Sequence, residues 1–348
     1  MKTNFISGAE LPLSELQKII DSALFYKQTN SLPDYEGKIL TLLFANPSLR
    51  TLLSFESGMK KMRGSVNTLQ LAGSWQFEYK NGAVMNGGTQ EHIKEAAQVI
   101  SRYSDVIGLR NSQLITTTQT HNEAFEWDYL KKDEALTQLA HYATKPIINM
   151  ESNMYHPCQS LADMMTIQDE LGEVKKKKYV LTWVPHVKAL PLATPHSQFL
   201  TPSIFGMDVT LVAPDGFPLD EDVIKLAEEK SSESGGSITF ANNQREALKG
   251  ADVVVAKSWA SLDFFGDWDA ENKHRNRFSD WMIDEEKMKS TNEAIFLHCL
   301  PLRRNVEVSD AVLDSSYSKI IDEAENRMWA QMSLISYLLN KSNENLTR

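Results

Sequence analysis

Ile39-Leu-Thr-Leu-Leu-Phe-Ala-Asn-Pro-Ser-Leu-Arg-Thr51 is the stretch from which the fold is read. Ile39 to Phe44 is a short, continuous apolar run, as strands buried on both faces of a parallel sheet are. Asn46-Pro47-Ser48 stops the run, and from Leu52 onward the apolar spacing turns helical. A strand, a tight turn and a helix therefore meet near Ser48.

The same grammar repeats outward. Leu13 to Tyr26 reads as a helix with Ser14 or a neighbour as cap, Val66 to Leu71 as a strand, Glu91 to Tyr103 as a helix and Val106 to Leu109 as a strand. Pro146 to Met150 is strand-like, and a helix over Ser160 to Leu171 follows. After the lysine run Lys175 to Lys178, a second set of strands begins at Tyr179 to Val184 and continues through Val209 to Val212, Val253 to Ala256 and Ile295 to His298. Asn326 to Leu339 closes the chain as a helix, and Ser231 to Gly236 reads as a polar surface loop. Strands alternating with helices predict an α/β fold with parallel sheets built from βα units. At 348 residues the chain suits two such domains, joined in the Glu151–Gln159 region. The boundaries are set at 1–152 and 153–325, with a C-terminal helix at about 326–340 packing back on the first domain.

Hydrophobic residues at 42% and charged residues at 24% are the balance of a soluble globular protein. A net charge of −10 argues against a nucleic-acid partner, whose phosphates need clustered Lys and Arg. It leaves room for a small anion in a locally basic pocket. Cys158 and Cys299 are too few for a disulfide framework. Met1 to Glu10 lacks the basic and apolar pattern of a secretory signal, and no stretch approaches the ~20 apolar residues of a membrane span. The expectation is a cytoplasmic protein without a membrane partner. On that expectation Asn340-Lys-Ser and Asn345-Leu-Thr are chance matches to the glycosylation pattern, and the lysine run is a solvated turn.

Three segments carry chemistry. At Ser48-Leu49-Arg50-Thr51, two hydroxyls, a guanidinium and free backbone N–H groups converge at a helix start, where a phosphate is favoured. On its own the tetrapeptide is a weak signal, and Ser48 reads more readily as a simple helix cap. In His156-Pro157-Cys158-Gln159 the His and Gln, three apart, can face one ligand, although a capping or core histidine satisfies the pattern as well. His298-Cys299-Leu300-Pro301-Leu302-Arg303-Arg304 lies at the carboxyl end of a buried strand, where ligands of open α/β sheets gather. The short regular Cys/His spacing of zinc sites is missing, so no metal is expected.

Taken together, Ser48-Leu-Arg-Thr, Ser54-Phe55-Glu56, His156-Pro-Cys-Gln, His298-Cys-Leu-Pro and Glu325-Asn326-Arg327 resemble the aspartate/ornithine carbamoyltransferase family. Order and spacing match from about Leu42 to Arg327, nearly the whole chain. The resemblance implies two doubly wound parallel-sheet domains, the first binding carbamoyl phosphate and the second the amine. Trp75, Met85-Asn86-Gly87-Gly88, Thr182-Trp183-Val184-Pro185-His186 and Ala256-Lys257-Ser258-Trp259 are most similar to the branch acting on N-acylated ornithines in arginine synthesis. The Asp-x-x-x-Ser-Met-Gly loop that grips a free α-amino group in ordinary ornithine enzymes is absent. Lys257 stands at the corresponding strand end, and a lysine suits a carboxylate rather than an ammonium.

Carried over by motif, Ser48, Leu49, Arg50 and Thr51 would bind the phosphate, and Arg110 would reach both phosphate and carbonyl oxygen. His156 and Arg327 would complete the polarisation of the carbonyl, while Gln159 and the backbone carbonyl of Leu300 hold the carbamoyl NH2. Cys299 falls in the catalytic set with Arg110, His156, Gln159 and Arg327. Glu151, His186 and Lys257 would position the acylated ornithine, and Pro185 to Pro195 reads as a loop closing over it. Trp75 resembles a residue lent to a neighbouring subunit's site, which implies a homotrimer with shared active sites. No cofactor is implied. Leu52 stands where many relatives carry Arg, a feature that favours a silent carbamoyl phosphate-binding relative. Gln90 occupies a position that resembles a specificity switch, with Glu accompanying acetyl and Pro succinyl substrates. Its lack of charge eases the approach of a second carboxylate, and an uncharged amide can also hydrogen-bond either acyl group. The rest of the chain is more similar to the succinyl-specific enzymes, so the expected acceptor is N-succinyl-L-ornithine, with N-acetyl-L-ornithine as the alternative.

Overall fold

In the computed structural model, which describes residues 2–71, 73–112 and 126–346, the apolar run is strand β1 (Ile39–Phe44), buried from Leu40 to Phe44. The chain divides into two compact units. One comprises Met1–Gln113, Leu130–Cys158 and Arg327–Arg348; the other comprises Leu114–Tyr129 and Gln159–Asn326. The boundaries near 152 and 325 read from the sequence differ from these. The observed divisions fall inside the helices Pro157–Leu171 and Ile320–Leu346, where no turn residue marks a break.

In the first unit β1 is joined by β2 (Ser65–Gln70), β5 (Val106–Arg110) and β6 (Ile147–Glu151) in a parallel sheet of order β2-β1-β5-β6. The short strands β3 (Phe77–Glu78) and β4 (Glu91–His92) pair separately, so the helix expected from Glu91 starts only at Ile93. Central β1 and β5 are apolar and buried, while edge β2 keeps largely exposed positions. Leu43, Ile107 and Ile147 from the sheet pack with Ala97, Leu136 and Leu139 into the core of this unit. The strand order reverses between β1 and β5, which makes their carboxyl ends the place where such a sheet binds ligands. Ser48–Thr51 follows β1, and Arg110 ends β5.

The second unit repeats the plan. Strands β7 (Lys178–Trp183), β8 (Asp208–Val212), β9 (Ser237–Ala241), β10 (Val253–Lys257) and β11 (Ile295–Leu297) form a parallel sheet of order β11-β10-β7-β8-β9. Its switch lies between β7 and β10, whose last residues Trp183 and Lys257 are register partners. Edge strand β9 has no apolar run and gave no strand signal. The predicted loop over Ser231 to Gly236 is corrected: Ser231 to Ser234 end the helix Glu221–Ser234, and Gly235 stops it at φ 79°, the left-handed value glycine adopts without strain. The predicted loop Pro185 to Pro195 is shorter as well. From Ala193 the chain is in the wholly buried helix Ala193–Ile204, which takes Pro195 into its first turn. Among the described residues, no helix is long and apolar enough to cross a membrane.

Candidate active site

The helix Leu49–Lys61 begins with Ser48 as its cap, the Ser48 hydroxyl accepting from the Thr51 N–H at 3.3 Å. Capping and anion binding are compatible, because one side chain answers one of the first-turn N–H groups and leaves the positive helix end in place. Thr51 is buried, and its hydroxyl accepts from Arg327 Nη2 at 3.0 Å.

Arg110 and Glu151 are brought side by side by a register shift between β5 and β6, and they form an ion pair. Bulges of this kind re-aim a side chain at the end of a strand. His156 Nε2 lies 3.6 Å from the same carboxylate. The buried Nε of Arg110 has no hydrogen-bond partner among the described residues, a donor suited to an anionic ligand. Burial pulls the Arg327 pKa down from its ordinary value; Cys158 opposes this, Arg110 adds to it, Glu151 opposes it and Arg50 adds to it. A guanidinium stays charged under such pressure. Arg50 and Arg110 are therefore both near enough to act on Arg327, and all three lie in a single unit. Burial pushes the Cys158 thiol up to about 12 against the pull of Arg327, which leaves it a neutral packing group.

The Glu151 carboxylate, expected to position the amine substrate, is thus held by Arg110, with His156 close by. Trp75 is 47% exposed, which excludes a core role in the single chain, and its indole N–H donates to Glu91 at 3.1 Å. Gln90 is exposed and its side-chain oxygen accepts from the Gln76 N–H at 2.7 Å.

In the second unit, Lys257 is buried at the end of β10. The next residue, Ser258, accepts from Arg275 Nη1 at 2.7 Å, and fully buried Arg275 also donates to the Trp259 carbonyl at 2.9 Å and pairs with Glu271. This buttress holds the strand end that carries Lys257. His186 accepts from Arg303 Nε at its Nε2, 3.2 Å away, so its proton sits on Nδ1 and is donated to the Lys188 carbonyl at 2.9 Å. The Lys188 N–H, 3.2 Å from that same nitrogen, is then not a hydrogen bond. Burial is the main reason the His186 pKa is lowered, and the Lys257 and Arg303 charges add to it. His186 therefore presents a neutral ring.

Glu307 was not anticipated from the sequence. Its buried carboxylate meets His298 Nε2 at 3.3 Å and accepts from the Arg303 N–H at 2.6 Å. Burial alone would raise its pKa, but the His298 hydrogen bond and the charges of His298 and Lys257 bring it down to about 2. A fixed negative charge thus stands beside Lys257 and His186. Gln159, Cys299 and Leu300 belong to this unit too. Cys299 and Leu300 are half-buried, and the Cys299 carbonyl accepts from His298 Nδ1 at 2.7 Å.

Residues 3–169 match the model of the aspartate/ornithine carbamoyltransferase carbamoyl-P binding domain, and residues 193–338 match that of the Asp/Orn binding domain. The chain belongs to the aspartate/ornithine carbamoyltransferase family. It is a carbamoyltransferase.

Among this carbamoyltransferase's relatives, N-acetylornithine carbamoyltransferase of Xanthomonas campestris pv. campestris is 39% identical over 343 residues, 97% of this chain and 98% of the relative. N-succinylornithine carbamoyltransferase of Bacteroides thetaiotaomicron is 33% identical over 292 residues, 84% of each chain. A mutant of N-acetyl-L-ornithine transcarbamylase complexed with carbamyl phosphate and N-succinyl-L-norvaline superposes with a TM-score of 0.90 at 39% identity, covering 97% of this chain and 99% of that one. The enzyme complexed with acetylcitrulline gives the same TM-score, 0.90.

Of the expected site residues, the carbamoyltransferase thus carries Arg50, Arg110, His156 and Arg327 in its first unit together with Ser48, Thr51 and Glu151. Gln159, His186, Lys257, Cys299 and Leu300 are carried in its second unit.

Proposed function

We propose that the protein transfers the carbamoyl group of carbamoyl phosphate to the side-chain amine of N-acetyl-L-ornithine, giving N-acetyl-L-citrulline and phosphate in arginine biosynthesis. The observation that carries the choice of acceptor is the 39% identity to an N-acetylornithine enzyme across 97% of this chain, against 33% across 84% for the N-succinylornithine relative. The expected succinyl acceptor, read from Gln90 and from an overall likeness to succinyl-specific enzymes, gives way to this. Buried Lys257 supports an acylated acceptor, because a cation at that position suits the α-carboxylate and repels a free α-ammonium.

In this reading Ser48, Leu49, Arg50 and Thr51 bind the phosphate. Arg110, His156 and Arg327 stabilise negative charge as it grows on the carbamoyl oxygen, where preorganised donors matter most. Gln159 and the Leu300 carbonyl hold the NH2, Cys299 lies beside the reacting group, and His186 and Lys257 hold the acceptor. When phosphate takes Arg110, Glu151 is released toward the incoming amine. The amine forms the new C–N bond, the C–O bond to phosphate breaks, and the departing phosphate takes the amine's proton. No covalent enzyme intermediate is needed, and alignment of two small reactants supplies much of the acceleration. Exposed Trp75, Val84 and Met85 support a homotrimer in which Trp75 and Gln90 serve a neighbouring site.

The test is turnover with carbamoyl phosphate and, in turn, acetyl-, succinyl- and free L-ornithine. The highest kcat/KM is expected with the acetyl compound. A succinyl preference would return the weight to uncharged Gln90, and a free-ornithine preference would refute the acylated reading. Binding of carbamoyl phosphate without product from any amine would make the protein a silent relative.

A further inference from the structure

Behind Gln159 in the second unit, a run of buried polar groups has no role in the mechanism above. Gln159 Nε2 donates to Asp163 Oδ1 and to Glu323 Oε1, each at 2.8 Å. The second oxygen of each carboxylate is held as well: Asp163 Oδ2 accepts from Gln198 Nε2 at 3.0 Å, and Glu323 Oε2 accepts from the His298 N–H at 2.9 Å. All of these side chains are buried.

A carboxamide has one donor end and one acceptor end, and in an ordinary pocket either can face the ligand. Here the choice is removed. A carboxylate only accepts, so a half-turn of the Gln159 amide would set its carbonyl oxygen against two carboxylates and lose both bonds. The donor end is committed, so a ligand that engages this amide meets its carbonyl oxygen. We propose that Asp163 and Glu323 are positioning residues that lock the Gln159 amide with its oxygen toward the substrate, so that the enzyme selects an acyl phosphate bearing an NH2. This rests on the proposed contact between Gln159 and the carbamoyl NH2. An acceptor there rewards an N–H and rejects the oxygens of a carboxylate or phosphate.

The two carboxylates are not equivalent as probes. In Asp163→Asn the Gln198 amide can turn to suit the new group. In Glu323→Gln the new amide must keep its oxygen on the His298 N–H, which cannot turn. Its NH2 then faces Gln159, whose amide is asked for opposite orientations by residues 163 and 323.

The experiment measures the affinities of wild type, Glu323→Gln and Gln159→Met for carbamoyl phosphate and for acetyl phosphate, which carries a methyl group in place of the NH2. Wild type is expected to prefer carbamoyl phosphate. Glu323→Gln should lose about tenfold of that preference, roughly 1.4 kcal/mol, with acetyl phosphate affinity unchanged. Weakening of both ligands alike would reduce Glu323 to a structural part and overturn the lock. Preference kept in Glu323→Gln but lost in Gln159→Met would overturn the lock and spare the Gln159 contact; preference kept in both would remove the contact itself. Should the variants not fold, proton exchange of the Gln159 carboxamide in the wild-type protein decides. Protection comparable to buried backbone amides supports the lock, and exchange at the rate of exposed glutamines refutes it.

Discussion

Arg110 and Glu151 are register partners at the carboxyl ends of neighbouring parallel strands, and their side chains form an ion pair beside His156. A carboxylate on the arginine that would grip a phosphate competes with that phosphate. Part of the energy of binding carbamoyl phosphate then goes into separating the pair, and the separated Glu151 gains a reason to face the amine.

Glu151→Gln should therefore bind carbamoyl phosphate several-fold more tightly and turn over more slowly. Calorimetric titration together with steady-state kcat checks it. Weaker carbamoyl phosphate binding in this variant would mean that Glu151 organises Arg110 rather than competing for it.

Arg110→Ala should lower kcat by two or more orders of magnitude, as loss of one oxyanion donor does. Leaving Glu151 without its guanidinium also costs stability, so the double variant Arg110→Ala/Glu151→Gln is the control for folding. A near-normal rate in either would remove Arg110 from the mechanism.

The extent to which these groups are legible in the sequence follows from where each sits. Strand β1 is central and both its faces are covered, so its burial is written as an apolar run. Edge strand β9 is mostly exposed and leaves no such mark. Lys257 can be read because it ends the apolar strand Val253 to Ala256 and so must stand at the rim of the sheet. Asp163 had a weak signal, lying four residues after Gln159 on one helix face. Glu307 and Glu323 had none. The chain has 46 Asp and Glu residues, and the partners that hold buried Glu323, Gln159 and the His298 N–H, are distant in sequence. Glu271 and Arg275 look like an exposed i,i+4 pair in a polar helix, yet tertiary packing buries both. Local pattern reports the solvent side of an element; it does not report a partner from another part of the chain. Arg110 follows the apolar strand Val106 to Leu109 and so stands at a sheet rim as Lys257 does, but its role, like that of Arg327, came only through family resemblance.

The Glu307 carboxyl gives a pH signature. Its pKa is about 2 in the folded protein against an ordinary value of 4.5. A carboxyl with a depressed pKa contributes stability that is fully present above about 4.5 and is lost as pH falls through about 2. The difference corresponds to roughly 3 kcal/mol. Unfolding free energy measured from pH 6 down to pH 2 should fall more steeply for wild type than for Glu307→Gln, so that the gap between them closes toward pH 2. Parallel curves would show that Glu307 is not ionised against His298 and Lys257.

Trp75 tests the assembly. A tryptophan that is 47% exposed, on a segment where Val84 is 81% and Met85 41% exposed, is an unusual choice for a free surface. Its indole is anchored through Glu91, so the ring is presented rather than loose. If Trp75 completes a neighbour's site, a Trp75→Ala subunit still owns a working Arg110, and an Arg110→Ala subunit still owns a working Trp75. Each pure variant is poor for a different reason. Co-expressed in equal amounts, they form rings in which about a quarter of the sites, by random mixing, draw Arg110 from one subunit and Trp75 from the other. The mixture should then exceed the mean of the two pure variants, approaching a quarter of the wild-type rate. Activity no higher than that mean would confine Trp75 to its own subunit.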